Sequence, residues 1–143
     1  CSWRGLLVLS GVEKDASSDG HVFGNGDAKV CFGAIDDLWK LGKPIGQGGP
    51  WMYTSVEANR PSDPYLMAGY DQKTLTLSHD AAEAVTFDVE VDFYAADEWH
   101  RYQRVTVTAG KVHTLEFPSG YAAHWIRFKT DKNCKATAQL KYE

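Results

Sequence analysis

From Ala84 to Thr130, apolar and polar residues alternate almost without a break, and this period of two admits one kind of backbone. In AVTFDVEVDFY, Val85, Phe87, Val89, Val91 and Phe93 fall on one phase, and Thr86, Asp88, Glu90 and Asp92 on the other. A strand sorts residues this way because successive side chains point to opposite faces; a helix of 3.6 residues per turn would scatter them around its circumference. The pattern predicts an antiparallel sheet with one packed face and one wet face.

The same parity runs through the neighbouring segments. KTLTLSH turns Leu75 and Leu77 inward and Thr74, Thr76 and Ser78 outward. In WHRYQRVTV, inward Val105 and Val107 send Tyr102, Arg104 and Thr106 outward. HWIRFK gives the core His124, Ile126 and Phe128, and leaves Trp125, Arg127 and Lys129 on the other face. KVHTLEF follows an Ala-Gly turn, and CKATAQLKY puts Cys134, Ala136, Ala138, Leu140 and Tyr142 in phase. Six strands joined by short connections predict an all-β antiparallel β-sandwich of jelly-roll or fibronectin-like type over residues 61–143.

Residues 1–60 read as an N-terminal β-hairpin and linker segment. WRGLLVL is apolar apart from Arg4 and is expected to be a strand buried on both faces. GHVFG and AKVCFG flank Asn25, Gly26 and Asp27, a hairpin signal because Asn and Gly accept positive φ. IDDLWKL is expected to form a helical turn, GKPIGQGGP a loop or linker, and WMYTSVEA a weak strand.

Composition excludes several functions. A net charge of -4 argues against nucleic acid, whose affinity comes largely from Lys and Arg. No apolar run approaches the roughly 20 residues that cross a bilayer, so no transmembrane segment is expected. The three cysteines include no CxxC pair, which argues against zinc; a Cys1–Cys31 bridge stays open. GxSxG, HExxH and P-loop motifs are missing, and GNGDAK is a hairpin turn with no helix after it. The chain is therefore read as more a binding module than an enzyme. His79, His113 and His124 fall on inward phases and are expected to be structural.

Two features suggest sites. Asp88, Glu90 and Asp92 make an acidic ladder, expected to be a solvated face with Arg104 as a cross-strand partner. Calcium needs oxygens converging from loops, so a structural calcium ion would be sought at Asp63, Asp71, Asp36 and Asp37 instead. The second feature is Trp125, on the outward phase beside Arg127. An exposed indole stacks on the C–H face of a sugar ring while Arg bonds its hydroxyls. Trp125, Trp99 and Tyr102 are the expected stacking residues, and Arg127 and Arg104 the hydrogen-bonding ones. The expected partner is a polysaccharide or oligosaccharide. In one alternative, Trp39 and Trp51 form a seam docking the chain on other domains of a parent protein. In another, His100 or His124 meets carboxylates in a small glycoside hydrolase or lyase site.

The segments CSWRGLLVLSG, FGAIDDLWKLGKP, SDPYLMAGYDQKTLTLSHD and AHWIRFKTDKNCKATAQ resemble a type of bacterial carbohydrate-active-like protein. In that type, a β-propeller-like region ends in a blade carrying the FGAIDDLWKLGKP segment and leads into a terminal β-sandwich. The resemblance implies a secreted or cell-envelope location, propeller-end material in residues 1–60 and the sandwich in 61–143. It assigns no site residue.

Overall fold

In the computed structural model, residues 2–3, 6–10, 22–23, 30–34 and 44–143 are described, the first and third of these segments by backbone alone. The chain divides into two compact units, Cys1–Gly42 and Lys43–Glu143. IDDLWKL, with Asp36, Asp37 and Trp39, lies outside the described residues, as does Cys1.

In the first unit, β1 (Ser2–Trp3), β2 (Leu6–Ser10), β3 (Val22–Phe23) and β4 (Val30–Gly33) form one antiparallel sheet in the order β1-β2-β4-β3. β3 and β4 pair through Val22↔Cys31 and Phe23↔Val30, the hairpin that Asn25 and Gly26 predict. The expectation of a strand buried on both faces is corrected, because Leu6 and Leu9 are 40% and 39% exposed. β2, of five residues, is flanked in its sheet by β1 and β4, of two and four. Cys31 carries a free thiol.

The second unit is an antiparallel β-sandwich. Its strands are β5 (Gly46–Val56), β6 (Tyr65–Leu66), β7 (Lys73–His79), β8 (Val85–Asp92), β9 (His100–Val107), β10 (His113–Glu116), β11 (Trp125–Thr130) and β12 (Cys134–Tyr142). One sheet has the order β10-β7-β12-β5 and the other β6-β11-β8-β9. The first strand thus pairs with the last, β5 with β12, and the nesting continues inward as β6 with β11, β7 with β10 and β8 with β9. A long four-paired hairpin wound into two sheets is a jelly roll, which decides between the two sandwich types.

Parity fills the core as the sequence requires. Leu75, Leu77, Phe87, Val89, Ile126, Phe128 and Leu140 are fully buried. Each such aliphatic or aromatic side chain contributes about 1.5–3 kcal/mol on leaving water. Trp51 of one sheet meets Phe128 of the other with ring centroids 6.0 Å apart. His79 also bridges the layers, its Nε2 lying 2.9 Å from the Val107 carbonyl, in keeping with its inward phase.

The loop expected at GKPIGQGGP is corrected, because Gly46–Pro50 opens β5. These glycines serve close approach. A Cβ at Gly48 would strike the Tyr65 hydroxyl, and one at Gly49 the Ala138 carbonyl oxygen. β5 therefore belongs to the sandwich, and the division between units falls at Gly42/Lys43 where the sequence places it at 60/61. β5 is an edge strand, and a bulge at Met52 and Tyr53 interrupts it. Tyr53 has φ 52°, and the amides of the two residues donate to Thr54 Oγ1 and Thr137 Oγ1. Such a break discourages strand addition at the edge.

Candidate functional site on the β6-β11-β8-β9 sheet and its loop end

The winding of a jelly roll collects alternate loops at opposite ends. Loops 67–72, 93–99 and 117–124 share one end, where Trp125 pairs with both Leu66 and Asp92 and Glu116 pairs with Thr74. Loops 57–64, 80–84, 108–112 and 131–133 share the other. The first set carries Tyr70, Phe93, Tyr94, Trp99, Phe117 and Tyr121; the second, no longer or shorter in total, carries no aromatic residue. The sandwich has one aromatic end and one polar end.

On the outer face of the sheet that leads to the aromatic end, Trp125, Arg127 and Lys129 project as the parity predicts, since Ile126 and Phe128 are wholly buried. Arg127 Nε donates to Glu90 Oε2 at 2.7 Å, and Lys129 Nζ to Glu90 Oε1 at 2.6 Å. The Arg127 guanidinium lies 4.0 Å over the Trp99 ring, whose Nε1 donates to Asp97 Oδ1 at 2.5 Å. Trp125 is half-buried and meets the His124 ring edge-on at 4.9 Å. The structure therefore brings Trp125, Arg127 and Trp99 together on one face.

Two expected site residues behave differently. Tyr102 turns to the core side because β9 bulges there: Val89 pairs with Gln103 but Glu90 with Arg101, so Tyr102 is the extra residue. Its ring packs 4.9 Å from Phe117 and 5.0 Å from Tyr121. Arg104 does face outward but is gripped by Asp88, with Nε to Oδ1 at 2.7 Å and Nη2 to Oδ2 at 2.9 Å. Arg101 Nε approaches the same carboxylate at 3.2 Å. Arg104 is the predicted cross-strand partner of the acids, and it spends a two-pronged bond on that role.

The solvated acidic ladder is corrected at two of its three rungs. Glu90 and Asp92 keep the outward phase, yet they are 8% and 1% exposed. Arg127 and Lys129 cover Glu90. Asp92 is covered by its own following loop, accepting bonds from the amides of Tyr94 at 3.0 Å, Ala96 at 3.4 Å and Asp97 at 2.8 Å. Hydrogen bonding from Arg104 holds the Asp88 carboxyl below its ordinary range. For Glu90 and Asp92, burial pushes the other way, but bonds from Lys129 and Arg127 in one case and loop amides in the other outweigh it.

The calcium candidates do not converge. Asp63 stands on the loop 57–64 and Asp71 on the loop 67–72, so the two exposed carboxylates occupy opposite ends and cannot share an ion. Asp36 and Asp37 lie outside the described residues. Among the described residues, no group of three or more His, Cys, Asp or Glu side chains is placed to hold a metal ion. Trp51 is core and not a surface seam, at 6% exposure. His100 and His124 make ring contacts with Phe93 and Trp125 respectively.

The aromatic end also contains what sequence parity does not reveal. Tyr94 is 85% exposed and Phe93 41%, both on the loop that Asp92 holds. Phe93 lies 5.8 Å from His100 and 6.4 Å from Tyr121 between ring centroids. Lys73, at 3% exposure, ties two of the three loops together, its Nζ donating to the carbonyls of Tyr70 at 2.5 Å and Tyr121 at 2.8 Å.

The chain matches no protein-family model and no curated protein sequence. Among solved structures it is similar to the crystal structure of PirA, with a TM-score of 0.38 and 11% identity over 70% of this chain and 82% of that one. A likeness of that degree carries no argument about fold or function. No helix among the described residues is long and apolar enough to cross a membrane.

Proposed function

We propose that the chain is a non-catalytic carbohydrate-binding or accessory module of a secreted or cell-envelope bacterial glycan-processing protein. The observation that supports this most is the gathering of aromatic side chains at one end of the jelly roll, continuous with Trp125, Trp99 and Arg127 on the adjoining face. Aromatic faces stack on the C–H faces of pyranose rings, and a polar rim bonds the hydroxyls. Arg127 suits that second task better than Arg104. Among the described residues, the Arg127 guanidinium bonds its acid through Nε alone, whereas Arg104 uses Nε and Nη2.

The test is binding to a panel of soluble polysaccharides by affinity electrophoresis, comparing the parent with Trp125→Ala. The expected result is retardation of the parent by at least one polysaccharide and its loss in the variant. Equal retardation of both proteins removes Trp125 from the site, and no retardation by any polysaccharide refutes the glycan reading.

A further inference from the structure

Lys73 opens β7 on the phase that carries Leu75 and Leu77 into the core, and it is buried with them at 3% exposure. Burial disfavours an ammonium and holds the Lys73 pKa below the ordinary lysine value, with Asp71 opposing the shift. The acceptors of its hydrogen bonds are backbone carbonyls, of Tyr70 at 2.5 Å and of Tyr121 at 2.8 Å. A methionine would fill similar space with no charge to desolvate. What the ammonium adds is the placement of two loops.

Those loops, 67–72 and 117–124, carry rings of the aromatic end. The second is laid against residues 71–73 at three points. The amides of Phe117 and Gly120 donate to the carbonyls of Lys73 and Asp71, both at 3.0 Å, and Lys73 Nζ meets the Tyr121 carbonyl. Tyr121 in turn lies 5.0 Å from Tyr102 of β9 and 6.4 Å from Phe93, between ring centroids. Tyr70 stacks on Tyr142 of β12, 4.1 Å away at 15°. One buried group therefore fixes the backbone under both Tyr70 and Tyr121, and Tyr121 passes that order to the loop of Phe93 and Tyr94. Rings that are set beforehand lose less affinity to their own ordering when a ligand arrives.

We infer that Lys73 is the positioning residue of the aromatic end, presetting Tyr70 and Tyr121 for a ligand that it does not itself touch. This rests on the glycan-binding reading above. The test compares the full chain with Lys73→Met and Lys73→Ala, by amide exchange and by affinity electrophoresis in laminarin, xyloglucan, glucomannan and polygalacturonate. In Lys73→Met the bonded amides of Phe117, Gly120 and Tyr121 are expected to exchange at least about tenfold faster, with those of β8 unchanged. Whichever polysaccharide retards the parent should bind this variant about tenfold or more weakly. Propylammonium supplies the atoms that Lys73→Ala removes beyond Cβ, and it should restore both loop protection and retardation. Tetramethylammonium, which has no N–H, should restore neither. A lysine that only filled space would be replaced by methionine without loss and would gain nothing from the amine. If Lys73→Ala fails to fold, Lys73→Met still decides, because methionine keeps the core phase of β7 filled.

Retardation of Lys73→Met equal to the parent's overturns the inference and leaves the glycan reading standing. So does weaker retardation with the loop amides still protected, since Lys73 would then act on the ligand directly. Protection lost evenly over both sheets overturns it too, by making Lys73 a residue of the fold alone. Retardation of no protein by any of the four polysaccharides overturns both.

Discussion

The guanidinium of Arg127 rests 4.0 Å over the indole of Trp99 while its Nε holds Glu90 at 2.7 Å. A β11 side chain is thereby fixed from above by a loop-edge aromatic and from the side by an acid of β8. A cation over an indole face contributes about 1 kcal/mol at a partly covered site. Trp99→Ala is therefore expected to lower stability by about 1 kcal/mol, and Trp99→Phe, which keeps a ring face, by less. Urea denaturation of the three proteins measures the difference, and equal midpoints would show that the stacking contributes nothing.

Glu90 is the anion that Arg127 and Lys129 share, at 11% side-chain exposure against 19% and 27% for its partners. Replacing it leaves two half-buried cations beside one another without their counter-charge. Glu90→Gln is expected to destabilise the sandwich by about 3 kcal/mol, in the range for breaking a buried pair. Arg127→Gln should cost less, because Lys129 still neutralises the acid. A ranking in which Arg127→Gln is the more damaging would contradict this account.

Which face each strand residue takes was legible from alternation, since Ile126, Phe128, Leu75, Leu77, Ala136, Ala138, Leu140 and Tyr142 are buried on the predicted phase, while His124 and Cys134 of that phase are only half-buried. Exposure was not legible, because it depends on what other segments lay over the face. Glu90 and Asp92 point where the sequence sends them and are then covered, one by side chains of β11 and the other by the loop that follows it. Tyr102 escaped parity altogether, since a bulge is one extra residue in a pairing that no single strand records. Gly46–Pro50 reads as a linker because glycine and proline mark turns. The partner that demands glycine there, Tyr65 or the Ala138 backbone, lies far along the chain.

The candidate site was half legible for a related reason. Trp125, Arg127 and Trp99 could be chosen by residue type and phase. Which loops share an end follows from the β5–β12, β6–β11, β7–β10 and β8–β9 nesting. Without that winding, Tyr94 and Tyr121 are aromatics in unrelated loops. With it they are neighbours through Phe93.

Acid should unfold the protein through three carboxylates together. Asp88, Glu90 and Asp92 all have folded pKa values held below their ordinary ones, the first chiefly by Arg104, the others by hydrogen bonds that outweigh burial. A depressed carboxyl pKa stabilises the folded state above the unfolded pKa, about 4, and that stability is lost as pH falls through the folded value. Thermal midpoints are expected to stay level from neutral pH to about 5 and then decline. Asp88→Asn should flatten part of that decline; a parent curve already level down to pH 3 would contradict the proposed bonding of all three acids.

Two glycines in one strand should respond unequally to the same substitution. At Gly46 an added Cβ meets the Tyr70 hydroxyl and the Tyr142 Cδ2 at 3.6 and 3.7 Å, which is ordinary contact. At Gly49 it meets the backbone of Ala138, where no rotamer can yield and the β5–β12 pairing itself must shift. Gly46→Ala is expected to change stability by no more than about 0.5 kcal/mol. Gly49→Ala should destabilise by about 2–3 kcal/mol, the cost of overpacking. Because β5 closes the outermost pair of the jelly roll, the Gly49→Ala loss should appear in amide exchange first along β5 and the facing half of β12. Uniform loss of protection across both sheets would mean that β5 unfolds only with the whole sandwich.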